Sequence, residues 1–147
     1  MSLKTLAAGV FACAMATGMA FANVKAADVS PWGNWMLTDG RLTVNVFQCQ
    51  GDKVCANVAK LDNPNNPDGT PKLDLKNKNP SLRSRRLIGM PVIVGMTSSG
   101  PNKWSGNIYS SDDGNTYAAY ATINGDKLDV KGCFLIICKD LNFVRAK

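Results

Sequence analysis

Arg83, Arg85 and Arg86 place three guanidinium groups within four positions, and they are the residues of this chain best suited to grip a ligand. A guanidinium is a planar fork that matches a carboxylate or a phosphate. Held at the mouth of a cavity, the three would bind the head group of an amphiphile. The competing reading, which we favour, pairs Arg83 and Arg85 with nearby acids such as Asp68 or Asp74 and so pins down their own segment. Trp104, Tyr109, Tyr117 and Tyr120 are the aromatic candidates. Trp104 and Tyr117 join the three arginines in the expected ligand set, although core packing is the default for such residues. Tyr117 and Tyr120 are three positions apart, so on a strand they face opposite sides.

Composition narrows the chemistry further. The chain has 147 residues and no His, and its eleven acids are all Asp, so Glu is missing too. Without His there is no near-neutral base and the commonest metal ligand is gone. Ser-His, Cys-His and His-zinc chemistry are thereby excluded. Met36, Met90 and Met96 are too scattered for a thioether copper site. A calcium loop needs acids at its first, third and fifth positions and a Glu at its twelfth. Counting back from Gly69 gives Asp68, Asn66 and Pro64, with Leu75 at the last position, so the pattern fails. Paired carboxylates could still act on a sugar, but Asp112 and Asp113 are the only adjacent acids and they read as a turn. We expect no metal, no cofactor and no enzyme. The alternative is an inhibitor of a cell-envelope enzyme, presenting the loop from Gln48 to Cys55, or an Asp-dependent enzyme acting on an envelope component.

The N-terminus reads as an address. Lys4 precedes an uncharged run from Thr5 to Ala22, and Ala20-Phe21-Ala22 offers small residues where a signal peptidase cuts. Cleavage after Ala22 would leave residues 23–147 as one domain in the periplasm or outside the cell. An uncleaved anchor is disfavoured, because 18 Ala-rich residues fall short of the ~20 a membrane span requires. A lipoprotein attached through Cys13 is disfavoured by bulky Phe11 and by the apolar residues that follow.

Export makes the other cysteines legible. Cys49, Cys55, Cys133 and Cys138 form an even set, which in a small exported chain reads as two disulfides. Three connectivities are open, and the spacings favour Cys49 with Cys55 and Cys133 with Cys138. A site holding a metal on all four is a poor fit, since it usually needs two Cys-x2-Cys pairs. The net charge is +6. We read it as a solvated basic surface and expect no nucleic-acid partner, because no motif interleaves aromatic with basic residues.

Positioning these residues falls to short strands. Leu42, Val44 and Val46 alternate with Thr43 and Asn45, which is the period of a half-buried strand. Further runs read as strands over 33–37, 54–61, 91–96, 103–110, 116–123, 127–132 and 141–145, with Cys133 to Cys138 forming a disulfide turn. Asp39-Gly40, Asp113-Gly114 and Asn124-Gly125 separate neighbouring runs, and such dipeptides favour tight hairpins. About eight consecutive strands predict an all-β, up-and-down antiparallel sheet closed into a barrel. Such a barrel is either filled by side chains or holds one small ligand. Residues 62–86 break the pattern with four of the seven prolines and a charge of +3, which marks a long functional or ordered loop.

In order and spacing the chain resembles an uncharacterised family of exported bacterial proteins, domain-of-unknown-function family 2147. The resemblance rests on Gly33-Asn34-Trp35, Asp39-Gly40, Cys49 with Cys55, and Asn79 to Arg85 running into Leu87-Ile88-Gly89-Met90. It continues through Trp104-Ser105-Gly106, Asp113 to Tyr117, and Gly132-Cys133. It implies a lipocalin-like (calycin) barrel and a periplasmic or surface location, and it brings no catalytic residues. Gly33-x-Trp35 also resembles the lipocalin signature, in which the Trp plugs one barrel end and an Arg of the last strand, here Arg145, packs over it. The resulting expectation is an exported, monomeric, non-enzymatic protein. Its partner would be a small apolar or amphiphilic ligand, or a protein of the cell envelope.

Overall fold

The computed structural model describes residues 29–147; the expected signal peptide, residues 1–22, lies outside them. Eight antiparallel strands follow one another around a closed barrel in chain order. They are β1 (Gly33–Leu37), β2 (Leu42–Cys49), β3 (Lys53–Leu61), β4 (Pro91–Gly100), β5 (Lys103–Ser110), β6 (Asn115–Asn124), β7 (Lys127–Phe134) and β8 (Ile137–Arg145). All eight strand predictions find their element, and the three Gly-containing dipeptides turn the chain where expected. Two expectations change. β4 runs on to Gly100 rather than ending at Met96. β8 begins at Ile137 rather than at Leu141, because β7 and β8 stay paired right up to Phe134 and Ile137. Cys133 and Cys138 are therefore strand residues facing each other across the ladder, and only Leu135 and Ile136 form the turn.

Alternation sorts the side chains. Along β6, Ala119, Ala121 and Ile123 are buried while Ala118, Tyr120 and Thr122 face out. The inward set from all strands forms one core with Trp35, Val44, Val46, Ala56, Met96 and Phe143 among its members. The disulfides Cys49–Cys55 and Cys133–Cys138 each staple a hairpin.

Up-and-down topology gives the barrel two unlike ends. The segment before β1, the turns at 50–52, 101–102 and 125–126, and the end of β8 gather at one. The turns at 38–41, 111–114 and 135–136 and the long 62–90 connection gather at the other. The first end is shut. Trp35 is fully buried, and its Nε1 donates to the Pro31 carbonyl at 2.8 Å. The Arg145 guanidinium lies 4.1 Å from the centre of the indole. Its Nη1 and Nη2 donate to the carbonyls of Trp32 and Ser30 at 3.0 and 2.9 Å, and its Nε stands 3.5 Å from Asp126. One cation thus ties the segment before β1, the β6–β7 turn and the Trp35 plug to the last strand.

Arg145→Ala removes the ring stacking and two carbonyl contacts but leaves the ladder. We expect a loss of roughly 2 kcal/mol, or about 8 °C in Tm for a domain of this size, with the fold retained. Thermal unfolding followed by circular dichroism measures it, and an unchanged Tm would remove Arg145 from the account of this end.

Candidate functional site

The other end is hollow. Bulky Trp35 and Met96 lie fully buried within the core, whereas the inward positions towards the loop end carry Val44, Val58, Ile93, Ile108, Val130 and Leu141. Gly132, also inward, contributes no side chain. These residues line a cavity of about 740 Å³. Its rim takes Arg41 from the first turn, Asp62, Asn63 and Lys72 from the long connection, Ser111 to Asp113 from the β5–β6 turn, and Phe134, Ile137 and Lys139 from the last hairpin.

The long connection is an ordered strap. Asp74 N–H donates to the Arg85 carbonyl and Leu87 N–H to the Lys72 carbonyl, both at 3.0 Å, so the segment pairs with itself. A single 3-10 turn over Pro80–Leu82, capped by Asn79, reverses it. Lys76 Nζ donates to the Asp112 carbonyl, Gly89 N–H donates to the Val58 carbonyl, and the fully buried carboxylate of Asp74 adds the side-chain tie to β5. Tyr109 on β5 donates to its Oδ1 at 2.6 Å. Asn77 Nδ2 donates to its Oδ2 at 2.8 Å, and Arg85 approaches the same oxygen through Nε at 2.9 Å and Nη2 at 2.8 Å. The Arg85 guanidinium also lies 5.4 Å from the centre of the Tyr109 ring. Burial pushes the Asp74 carboxyl up, but the donors Tyr109, Asn77 and Arg85 outweigh it and hold it below its ordinary range. Burial first, then the Asp74 partner, raises the Tyr109 phenol.

Gly114 shows how tightly the strap sits. It has φ +71°, and a Cβ there would overlap the Lys76 carbonyl. Nearby, the Tyr117 hydroxyl donates to Asp113, which lowers that carboxyl to about 2 and raises the phenol.

The structure separates the residues expected to bind a ligand. Tyr117 lines the cavity, while Arg83, Arg85, Arg86 and Trp104 do not. Arg85 is engaged by Asp74, the pairing favoured from sequence. Arg83 takes the Asn77 carbonyl at 2.7 Å rather than an acid, and Asp68 accepts from Thr70 instead. Arg86 is exposed, and Trp104 packs half-buried against the core. Lys72 and Lys139, which join the Asp39-paired Arg41 as cations of the rim, were not singled out as ligand residues in the sequence, because neither belongs to a motif and only the closed topology brings them to one opening.

Asp74→Asn replaces the Oδ2 acceptor by a donor that faces Asn77 and Arg85. We expect a loss of roughly 2–3 kcal/mol at neutral pH. Both Asp74 and Asp113 have folded-state values below the ordinary 3.8. Their contribution is therefore complete above about pH 4 and is lost as pH falls towards the folded values, to about 2 for Asp113. Melting curves across this range should fall steeply for the wild type and less steeply for Asp74→Asn. Parallel curves would show that Asp74 is not ionised in the fold.

Comparison with known proteins places this architecture. A family described as uncharacterized protein conserved in bacteria (DUF2147) matches residues 33–145. The search of curated proteins found no match. Among solved structures, the chain is similar to protein HP1028 of the human pathogen Helicobacter pylori, which is described as belonging to the lipocalin family. The two are 22% identical with a TM-score of 0.68, over 81% of this chain and 84% of that one.

Proposed function

The chain belongs to the DUF2147 family of uncharacterized bacterial proteins, and from its hollow barrel we propose that it is an exported, non-enzymatic binding protein for a small apolar or amphiphilic molecule. The cavity carries this reading. Its volume of about 740 Å³ lies within the ~300–1,000 Å³ usual for small-ligand sites. Its walls are chiefly apolar, aliphatic with Tyr109, Tyr117 and Phe143 among them, so a ligand gains chiefly by leaving water, at roughly 25 cal/mol per Å² of apolar surface. Lys72 and Lys139 at the rim have no acid within ion-pair distance among the described residues. They would face an acidic head group once the tail is inside.

The carboxylates support a binding role over a catalytic one. A general acid at neutral pH needs a raised carboxyl. Asp74 and Asp113 are both held low, by partners that fix structure. Two disulfides suit an oxidising compartment. A closed ladder leaves no strand edge to pair with a second copy, in keeping with a monomer.

Native mass spectrometry of protein taken from the periplasm should show a bound mass that disappears on denaturation. A cavity-filling variant gives the control. A Cβ at Gly132 would sit 3.6 Å from Ile108 and 3.8 Å from Tyr117, in ordinary contact, so Gly132→Phe projects its ring into the cavity. It should weaken binding of an apolar fluorescent probe by about tenfold or more, since the ring takes the apolar volume the probe would fill. Wild-type protein with no affinity for apolar probes would defeat the carrier reading.

A further inference from the structure

The β7–β8 hairpin ends in four consecutive large apolar residues. Phe134, Leu135, Ile136 and Ile137 are 58, 86, 95 and 75% exposed. The turn itself is Leu135-Ile136, and Leu135 has φ +54°. That region disfavours bulky side chains. The neighbouring turns fill such positions with Asp-Gly or Asn-Gly, the residues tight hairpins prefer. Here the chain keeps Leu and Ile at a strained tip, with the Cys133–Cys138 disulfide directly beneath to hold the strands together. Turn formation does not account for this choice. Apolar surface at the extremity does.

The surroundings identify what that surface meets. Leu135 and Ile136 at the extremity are the most exposed of the four, with Phe134 and Ile137 turned in part to the cavity rim, so the tip offers water a run of bare apolar side chains that an apolar medium would cover. At its base stand Lys139, with no acidic partner among the described residues, and Lys131, 3.6 Å from Asp140. The strap at the same end of the barrel exposes Leu75, Leu82 and Ile88. In sequence, Lys78 stands between Leu75 and Leu82 and Arg86 stands two before Ile88, both without an acid in ion-pair range among the described residues. Apolar side chains interleaved with cations are the signature of a surface that enters the interface of an anionic bilayer. The tip is also continuous with the cavity. Phe134 and Ile137 belong to the rim, and Phe134 packs edge-on against Tyr117 with ring centroids 6.1 Å apart.

We propose that the Phe134–Ile137 hairpin tip inserts into an anionic lipid bilayer and seats the barrel mouth on the membrane. This inference rests on the carrier reading for its purpose, since it gives an amphiphile a route between bilayer and cavity that avoids water. The docking itself stands on the tip.

Flotation of the purified chain, disulfides intact, with vesicles of phosphatidylethanolamine and phosphatidylglycerol tests it. At an ionic strength of ~0.15 M the wild type should float with the vesicles, and added salt or phosphatidylcholine vesicles should weaken the association. The double variant Leu135→Ser/Ile136→Ser should bind at least about tenfold more weakly, since two of the inserting side chains are lost. These two residues do not line the cavity, so its binding of an apolar probe in vesicle-free solution should stay at the wild-type level. Wild-type protein that stays unbound overturns the proposal. So does a double variant that floats as well as the wild type, which would move the attachment to another part of the chain. A wild-type dimer that the double variant abolishes, without vesicle binding, assigns the tip to a protein contact and also overturns it. Flotation of a wild type that binds no apolar probe supports docking while removing the carrier reading.

Discussion

Everything in this molecule depends on β1 finding β8. The other seven ladders join strands consecutive in the chain, so each closes a hairpin or a single connection. The last ladder pairs only Trp35 with Arg145, Met36 with Val144 and Leu37 with Phe143, from opposite ends of the domain. Closing so long a loop carries the largest entropy cost of any pairing here, and the ladder that repays it is the shortest. Without it the sheet would have two open edges and an apolar face in water. The seam is therefore reinforced from outside the ladder. Arg145 stacks on Trp35 and holds the backbone at Ser30 and Trp32, Thr38 N–H reaches the Asn142 carbonyl, and Ala146 N–H reaches that of Asn34.

The two ends solve opposite problems with different materials. The shut end uses apolar bulk, with an indole as plug and a guanidinium as its cover. The open end has to hold a long strap in place without filling the barrel. Leu87 and Met90 of the strap already line the cavity, and further apolar anchors would take up its volume. A carboxylate cannot, because it must stay with its donors. Asp74 meets Tyr109, Asn77 and Arg85 at the edge of the interior, and the strap is fixed while the centre stays empty. Polar tethering and hollowness are in this sense one design.

Much of the fold was legible because strand signals are local. Alternation such as Leu42-Thr43-Val44-Asn45-Val46 and turns such as Asn124-Gly125 announce themselves within a few residues. The spacing of the cysteines likewise selected the pairs that form. The site was far less legible. Whether a barrel is hollow depends on the summed volume of side chains from eight strands, and no single segment encodes that sum. Asp74 lies in Leu73-Asp74-Leu75, inside a proline-rich stretch without periodicity, so nothing marks it as the most buried acid. Arg85 was matched with Asp74 from sequence, as the fold has it, whereas the partner of Arg83, the Asn77 carbonyl, is fixed only by the fold of the strap. The tip was read as a disulfide turn. Its ladder register, which sends Leu135 and Ile136 to the extremity, emerges only once β7 and β8 are paired.

A ladder that closes on itself has no first strand. Because β1 and β8 lie side by side and reach the shut end together, the order in which the chain visits the eight strands is one cut through a ring. A short peptide joining 147 to 29 would close the ring where Arg145 already bridges the two segments. The chain could then be opened at the 38–41 turn without disturbing any strand pair. In such a permutant the seam would become an ordinary hairpin, and the β1–β2 ladder would inherit the long-range closure.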